Sequence, residues 1–271
     1  MSDFLATMAE SSAVRAAQAP SFTDADFDKP LVPLALGAFD VIAEIKQRSP
    51  AEGQLGCQSP YSESKGVSHL ISRAQAYAAG GAVAISVLTE PSRFEGELVH
   101  LEEVAAAVPA TPVMRKDFLV HPVQVLEARA AGASGVLLIT TMLDDATLRA
   151  MLDCAFEHGM FVLLESFDED DLHRSARFLD LDGQLLIGVN TRNLRTLEVD
   201  GDPAELAREE LKPRYNIAPT QEVPIVRRSP YPSAETPPAS NMKVCALSPT
   251  MISSPRPQWA SIAARLPMVP E

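Results

Sequence analysis

Residues 135–164 read GVLLITTMLDDATLRAMLDCAFEHGMFVLL and contain the pattern that decides the fold. Apolar runs at the beginning and end of this segment flank a stretch of helical composition. Asp144 and Asp145 open that stretch and Gly159 closes it, as residues at helix ends commonly do. The segment therefore predicts a strand, a helix and a second strand that runs parallel to the first.

The same unit recurs on both sides of this segment. Between residues 40 and 199, short β-branched or Leu-rich runs alternate with Ala-rich helical stretches. From the third strand onward the strands recur roughly every 25 residues, the length of one βα unit, which favours a barrel. The six predicted strands lie at residues 41–45, 82–88, 112–115, 135–139, 161–164 and 185–189. We therefore predict an α/β protein, an incomplete (β/α)8 TIM barrel in which six βα units can be recognised.

The composition changes after residue 200. Residues 201–271 hold 13 of the 22 prolines but, of the 13 glycines, only Gly201. Because the repeat of strand, Gly-capped helix and turn stops there, we divide the chain into a barrel portion at 1–200 and a Pro-rich, largely irregular tail at 201–271. Within the tail, residues 223–226 and 243–247 are candidates for additional strands.

The charge and the cysteines exclude several classes of protein. A formal charge of −13 opposes binding to nucleic acid or to an anionic membrane, since both would repel the chain. Cys57, Cys154 and Cys245 have neither a disulfide pattern nor a metal-binding spacing. The N-terminus lacks the features of a signal peptide, and no apolar run approaches the length of a membrane span. We expect a cytoplasmic protein without nucleic-acid or membrane partners; the sequence does not determine its oligomeric state.

Polar residues follow the first and third predicted strands. In a parallel barrel the C-terminal strand ends meet at one mouth, so polar residues there are candidate active-site groups. The two-residue spacing of Glu44 and Lys46 places both side chains on one face. A buried ion pair is the alternative interpretation, since a buried carboxylate needs a partner. Lys116 follows the third strand and could act as a general acid, although a solvated strand end has the same pattern.

Polar residues also follow the fifth and sixth predicted strands. Glu165 is suited to acid or base chemistry, and Asn190 and Arg192 are suited to the recognition of hydroxyl and carboxylate groups. For each residue alone, capping of a loop is the alternative interpretation. Together with the earlier residues they place polar groups at four strand ends that face one space, which favours a catalytic site.

Four motifs resemble, in order and spacing, the signatures of the indole-3-glycerol-phosphate synthase family. The resemblance extends from about residue 1 to residue 200 and supports the TIM-barrel prediction. The motifs are residues 42–46 with Ser49 and Pro50, residues 86–90, residues 115–118 and residues 190–194.

The resemblance implies a decarboxylating ring closure in tryptophan biosynthesis. The phosphorylated small-molecule substrate would be 1-(2-carboxyphenylamino)-1-deoxyribulose 5-phosphate, which loses carbon dioxide and water as the indole ring closes. The family needs no metal and no organic cofactor. By the same resemblance, Lys116 would protonate the ribulose carbonyl oxygen and Lys46 would hold the anthranilate carboxylate near Glu44. Glu165 with Asn190 would assist the loss of the hydroxyl group.

The resemblance also implies a set of substrate-binding residues. The apolar members would line an anthranilate pocket, although ordinary barrel core is an equally good interpretation for them. The set comprises Ser49, Arg192, Phe94, Phe118, Leu137 and Leu194. None of the five histidines lies in the matched motifs, and we expect all five at the surface.

The tail departs from the family pattern. The family should continue with a strand carrying Ser-Glu-Ser-Gly and with a Gly-Ser or Gly-Thr step, whose backbone amides hold phosphate at a helix N-terminus. Neither motif is present, and no glycine beyond Gly201 is available for such a close approach. The alternative function is therefore an inactive truncated or fused remnant that keeps the anthranilate pocket but lacks the phosphate site. An open six-unit barrel would also leave two sheet edges unpaired.

Residues 213–227 resemble a short segment of the SRAP proteins, which crosslink to abasic sites in single-stranded DNA. Those proteins require a cysteine directly after the initiator methionine, and position 2 of this chain is Ser2. We therefore expect no abasic-site chemistry and no nucleic-acid partner.

Overall fold

The computed structural model describes residues 3–37, 39–49, 53–54, 67–190, 223–227 and 243–248. Its strands are β1 (Phe39–Ile45), β2 (Arg48–Ser49), β3 (Gly53–Gln54), β4 (Ala84–Leu88), β5 (Val113–Lys116), β6 (Gly135–Ile139), β7 (Phe161–Ser166), β8 (Leu185–Asn190), β9 (Val223–Arg227) and β10 (Lys243–Ser248). Its helices are α1 (Asp3–Ala17), α2 (Val67–Ala79), α3 (Pro91–Phe94), α4 (Leu98–Ala107), α5 (Pro122–Ala130), α6 (Asp145–Glu157) and α7 (Glu169–Ala176). Short 3-10 turns lie at Asp24–Phe27 and Thr140–Met142.

The six predicted strands are confirmed as β1, β4, β5, β6, β7 and β8. Each pairs in parallel with the next along the chain, and their bounds differ from the predicted ones by at most two residues. The alternation of apolar runs with capped helices was sufficient for this part of the fold because both signals are local.

The strands of the described part of the chain form a closed barrel in the order β1-β4-β5-β6-β7-β8-β10-β9. The two sheet edges that six units alone would leave unpaired are therefore both covered. Strand β10 pairs in parallel with β8, and β9 pairs antiparallel with both β10 and β1. An edge strand needs backbone hydrogen-bond partners, which an antiparallel neighbour supplies as well as a parallel one. The tail closes the barrel at the two candidate runs.

Helix α6 begins and ends close to the predicted positions, and a glycine follows both α5 and α6. The side chain of Asp144 accepts a hydrogen bond from the backbone N–H of Thr147 at 2.7 Å and so caps α6. After the helices, Gly132 has a φ of +95° and Gly159 a φ of +70°, conformations that glycine adopts without steric cost. Each helix therefore stops where the chain must turn back to the next strand.

The apolar core lies on both faces of the parallel strands. All residues of β4, β6 and β7 are buried. This holds both for the side chains that face the helices and for those that face the barrel interior. Parallel strands are covered on both faces, which explains why their sequences are almost continuously apolar. Among the described helices, none is long and apolar enough to cross a membrane.

Closure by the tail can be tested by shortening the chain. We expect a chain ending at Glu222 to unfold at lower urea concentration than a chain ending at Ser248, because loss of β9 and β10 exposes the edges of β1 and β8. Circular dichroism during urea titration, with light scattering to detect aggregation, measures the difference. Identical unfolding midpoints for the two chains would contradict the closed barrel.

The close packing of Gly135 against Phe161 gives a second test of the fold. A Cβ atom at Gly135 would lie 2.4 Å from Cζ of Phe161, so Gly135→Ala should destabilise the protein by about 1–3 kcal/mol. The double variant with Phe161→Leu should recover part of that loss. Gly37→Ala is the control, because a Cβ atom at Gly37 would lie 3.4 Å from its nearest neighbour, Oδ1 of Asp40, an ordinary contact distance. Unchanged stability of Gly135→Ala in urea titration would rule out this packing.

Candidate active site

Two lysines share one carboxylate at the mouth of the barrel. Lys116 Nζ donates to Oε2 of Glu44, and Lys46 Nζ lies 3.4 Å from Oε1 of the same carboxylate. The side chains of Glu44 and Lys46 are only 4% and 9% exposed, whereas that of Lys116 is 22% exposed. Lys116 is therefore the member of this cluster that a molecule entering the mouth can reach most easily.

The charge state of Glu44 follows from these contacts. Burial alone would raise the pKa of its carboxyl group, but the charges of Lys116 and Lys46 and their hydrogen bonds outweigh burial. The pKa of Glu44 is consequently lowered from its ordinary value. The group is ionised at neutral pH and can hold both ammonium groups in place.

A second pair lies on neighbouring strands of the same barrel. Nδ2 of Asn190, at the end of β8, donates to Oε1 of Glu165 on β7 at 3.0 Å. Glu165 is 3% exposed, and its register partners are Ile139 and Gly188. The amide therefore gives a buried carboxylate a defined direction at the C-terminal end of the sheet.

Aromatic rings lie in the segments that follow β4 and β5. Phe118, which follows β5, is buried, and its ring centroid lies 6.1 Å from that of the half-buried Phe94. The ring of Phe4, from α1, meets Phe118 edge-on at 5.7 Å. Leu137 lies on β6 and is 2% exposed. Phe4 is absent from the predicted set, since helix α1 has no sequence signal that links it to the mouth.

Three predicted site residues take no part in the contacts described above. Ser49 lies in β2, which forms a short hairpin with β3 in which Ser49 pairs with Gly53. Arg192 and Leu194 lie outside the described residues, as does the part of the SRAP-like stretch before residue 223.

Charged groups surround the buried carboxylate of Asp117, which lies in the motif at residues 115–118 but is not among the predicted site residues. Its carboxylate accepts hydrogen bonds from Arg15 at 2.7 and 2.8 Å, from Thr89 Oγ1 at 2.8 Å, from the Phe118 backbone N–H at 2.8 Å and from Arg115 Nη2 at 3.3 Å. Consecutive charged residues in a strand end were an available signal, because buried charges require partners. Arg15 lies 102 residues away, so no local pattern could identify it as the partner.

The prediction that all five histidines lie at the surface is wrong for His100. This residue is buried on α4, where its Nδ1 accepts the backbone N–H of Glu97 at 3.1 Å. Its Nε2 lies 3.1 Å from Nε2 of Gln47, which follows Lys46 in the chain. The ring therefore caps the first turn of α4 from the inside. Among the described residues, no group of three or more histidine, cysteine and acidic side chains could hold a metal ion.

These features define a barrel protein of the TIM class with lysine, carboxylate and aromatic groups gathered at the C-terminal mouth. The family model of indole-3-glycerol phosphate synthase matches residues 7–218. The chain belongs to that family.

Sequence relatives agree with this assignment. The indole-3-glycerol phosphate synthase of a Nocardioides strain is 47% identical over 182 residues, which are 66% of this chain and 64% of the relative. That of Salinibacter ruber is 44% identical over 161 residues, which are 59% of this chain and 55% of the relative. The chain thus spans less than two thirds of the length of these relatives.

One solved structure, Xanthomonas albilineans dihydropteroate synthase with 4-aminobenzoic acid, gives a TM-score of 0.34 at 16% identity. The comparison covers 68% of this chain and 79% of that one. A likeness at this TM-score carries no argument about function.

The lowered pKa of Glu44 predicts a pH-dependent effect of Glu44→Gln. Ionised Glu44 stabilises the fold above its unfolded pKa, and this stabilisation is lost as the pH falls through the lower folded pKa. At about pH 7 the substitution should cost about 3–5 kcal/mol, because it leaves two ammonium groups without that carboxylate. The difference from wild type should shrink as the pH falls below the ordinary pKa of a glutamate side chain.

Urea titrations across this pH range measure the difference between wild type and Glu44→Gln. Glu102→Gln is the matched control, since the Glu102 side chain is 45% exposed and its ion pair with Lys29 spans 3.7 Å. A Glu44→Gln deficit that stays constant with pH would show that the Glu44 carboxylate is not stabilised in its ionised form.

Proposed function

We propose that this chain catalyses the indole-3-glycerol-phosphate synthase reaction. The observation that carries the proposal is the lysine cluster: a partly exposed Lys116 held by buried Glu44, with Phe118 two residues further on. Family membership supports it and implies a phosphorylated small-molecule substrate. The scattered cysteines favour a reducing cytoplasm as the place where it works.

The substrate in this proposal is 1-(2-carboxyphenylamino)-1-deoxyribulose 5-phosphate. Two lysine ammonium groups at the mouth supply the positive charge that an anionic substrate requires, and Lys46 binds the anthranilate carboxylate. The aromatic ring enters the apolar part of the mouth. We assign Phe94, Phe118 and Leu137 to its wall. The family motifs assign Leu194 to the same wall and Ser49 and Arg192 to the remaining substrate contacts.

Ring closure begins with attack on the ribulose carbonyl. The ring carbon that bears the carboxylate forms a bond to the carbonyl carbon, and Lys116 donates a proton to the carbonyl oxygen. Glu44 holds the Lys116 ammonium towards the mouth throughout this step. Orientation of the reacting atoms and neutralisation of the developing oxyanion both lower the barrier.

Two losses then complete the indole ring. Carbon dioxide leaves the ring carbon that attacked the carbonyl, and the electrons of the broken bond restore the conjugation that the attack removed. The new hydroxyl group takes up a proton and leaves as water, while the adjacent CH2 carbon gives up a proton and the ring double bond forms. Glu165 with Asn190 assists this second proton transfer. The products are indole-3-glycerol phosphate, carbon dioxide and water, which balance the substrate.

The proposal predicts that Lys116→Ala abolishes most of the turnover. Loss of a general acid should lower kcat by about 10²–10⁴-fold, measured by the fluorescence of indole-3-glycerol phosphate. Lys29→Ala is the control, because Lys29 is 41% exposed and lies outside the site. Circular dichroism verifies folding of each variant. Turnover that survives Lys116→Ala unchanged would refute the role of Lys116.

A second candidate is a non-catalytic remnant that binds anthranilate-like compounds. It is favoured by the lack of glycine beyond Gly201 for a phosphate cradle. Titration with anthranilate, followed by fluorescence, separates the two candidates. Binding by a folded chain without turnover would support the remnant, whereas Lys116-dependent turnover would exclude it.

A further inference from the structure

The carboxylate of Asp117 joins helix α1 to the turn that follows β5. Nη1 and Nη2 of Arg15 donate to its two oxygens at 2.7 and 2.8 Å, and the Asp117 side chain is fully buried. A guanidinium that contacts both oxygens of a carboxylate restrains its direction as well as its distance. Asp117 therefore has a defined orientation relative to α1.

The same carboxylate restrains the backbone next to the proposed acid. Its Oδ1 accepts the backbone N–H of Phe118 at 2.8 Å, and its Oδ2 accepts the Thr89 hydroxyl at 2.8 Å. Asp117 stands between Lys116 and Phe118 in the chain. A change in the direction of its carboxylate would move the lysine and the aromatic ring together.

Helix α1 contacts this part of the barrel at three places. Phe4 packs edge-on against Phe118, Ser12 accepts a hydrogen bond from Gln124 Nε2 at 2.9 Å, and Arg15 binds Asp117. These contacts extend along most of the helix. Movement of α1 would therefore be transmitted to the aromatic wall and to the turn after β5.

We propose that Arg15 and Asp117 form a positioning pair that sets the direction of the Lys116 ammonium group and of the Phe118 ring. The inference rests on the proposed function and extends the site to helix α1. Neither member of the pair is assigned a contact with substrate. The cost of removing the Asp117 carboxylate and the partly exposed Arg15 guanidinium from water offsets much of their attraction, whereas the bidentate geometry gives a defined direction. This balance favours positioning over stabilisation.

The surroundings of the pair determine its response to pH. The groups that face Asp117 or Arg15 are Thr89 and Glu90 after β4, Arg115 on β5 and Glu127 on α5. Burial would raise the pKa of Asp117, but the hydrogen bond from Arg15 and the charge of Arg115 outweigh it, and the pKa is lowered. Removal of Arg15 should raise that pKa. The acidic limb of kcat, where Asp117 becomes protonated, should then move to higher pH.

The test compares Arg15→Ala and Arg15→Lys in the full chain by steady-state kinetics over a range of pH. Arg15→Ala should lower kcat by about tenfold or more with little change in KM, because the acid is misdirected while substrate contacts remain. Arg15→Lys should recover part of kcat, since an ammonium keeps the charge but loses the bidentate geometry. Arg149→Ala, which removes an exposed ion pair with Asp153, is the control and should have no effect.

Wild-type kcat together with a wild-type pH profile in folded Arg15→Ala would overturn the positioning pair. If Arg15→Ala does not fold, Arg15→Lys decides in its place, and an unaltered kcat and pH profile in that variant would overturn the inference. A smaller kcat with a displaced acidic limb would support it.

A separate measurement distinguishes failure of this inference from failure of the proposed function. Hydrogen exchange of the Phe118 backbone amide, followed by nuclear magnetic resonance, requires no turnover. In Arg15→Ala this amide should exchange faster, because its acceptor is no longer held in place. A wild-type chain without turnover would refute the proposed function, while an unchanged Phe118 exchange rate would refute the pair.

Discussion

The pairing of backbone groups along the two outer edges of the parallel sheet is the constraint on which the rest of the structure depends. Strands β1 and β8 each have a free side once the six parallel strands are assembled, and unpaired strand edges are unstable in water. Strands β9 and β10 pair with these edges and close the ring. Closure keeps the C-terminal ends of the parallel strands around one mouth, where the candidate site lies.

The C-terminal end of β5 contributes residues to two separate networks of charged side chains. Alternation along β5 directs Lys116 towards Glu44 inside the barrel, while Arg115 contacts α5 through the Gln124 carbonyl oxygen. Asp117 joins the outer network through Arg15. Both networks obey the same rule, since each buried carboxylate is held by two cationic side chains. The inner network supplies the proposed chemistry and the outer one supports the turn that carries it.

Much of the fold could be predicted because its signals are local. Apolar runs define six strands, and residues such as Asp144 and Gly159 define helix ends through contacts within a few residues. The strands of the tail could be identified only as candidates, and their antiparallel pairing could not be predicted, because the tail lacks the βα repeat. Helix α1 was not predicted. Its partners, such as Phe118 and Asp117, lie about a hundred residues further along the chain, so no local pattern indicates the packing.

The sequence by itself determined which residues stand at the strand ends. Two-residue alternation and the common direction of parallel strands bring Glu44, Lys46 and Lys116 to one mouth, and the same rules place Glu165 beside Asn190. Only the tertiary structure decided which distant segments support these strand ends. Arg15 binds Asp117, and β9 pairs with β1. Such contacts join segments far apart in the chain, and their partners are selected by the packed geometry and not by any local pattern.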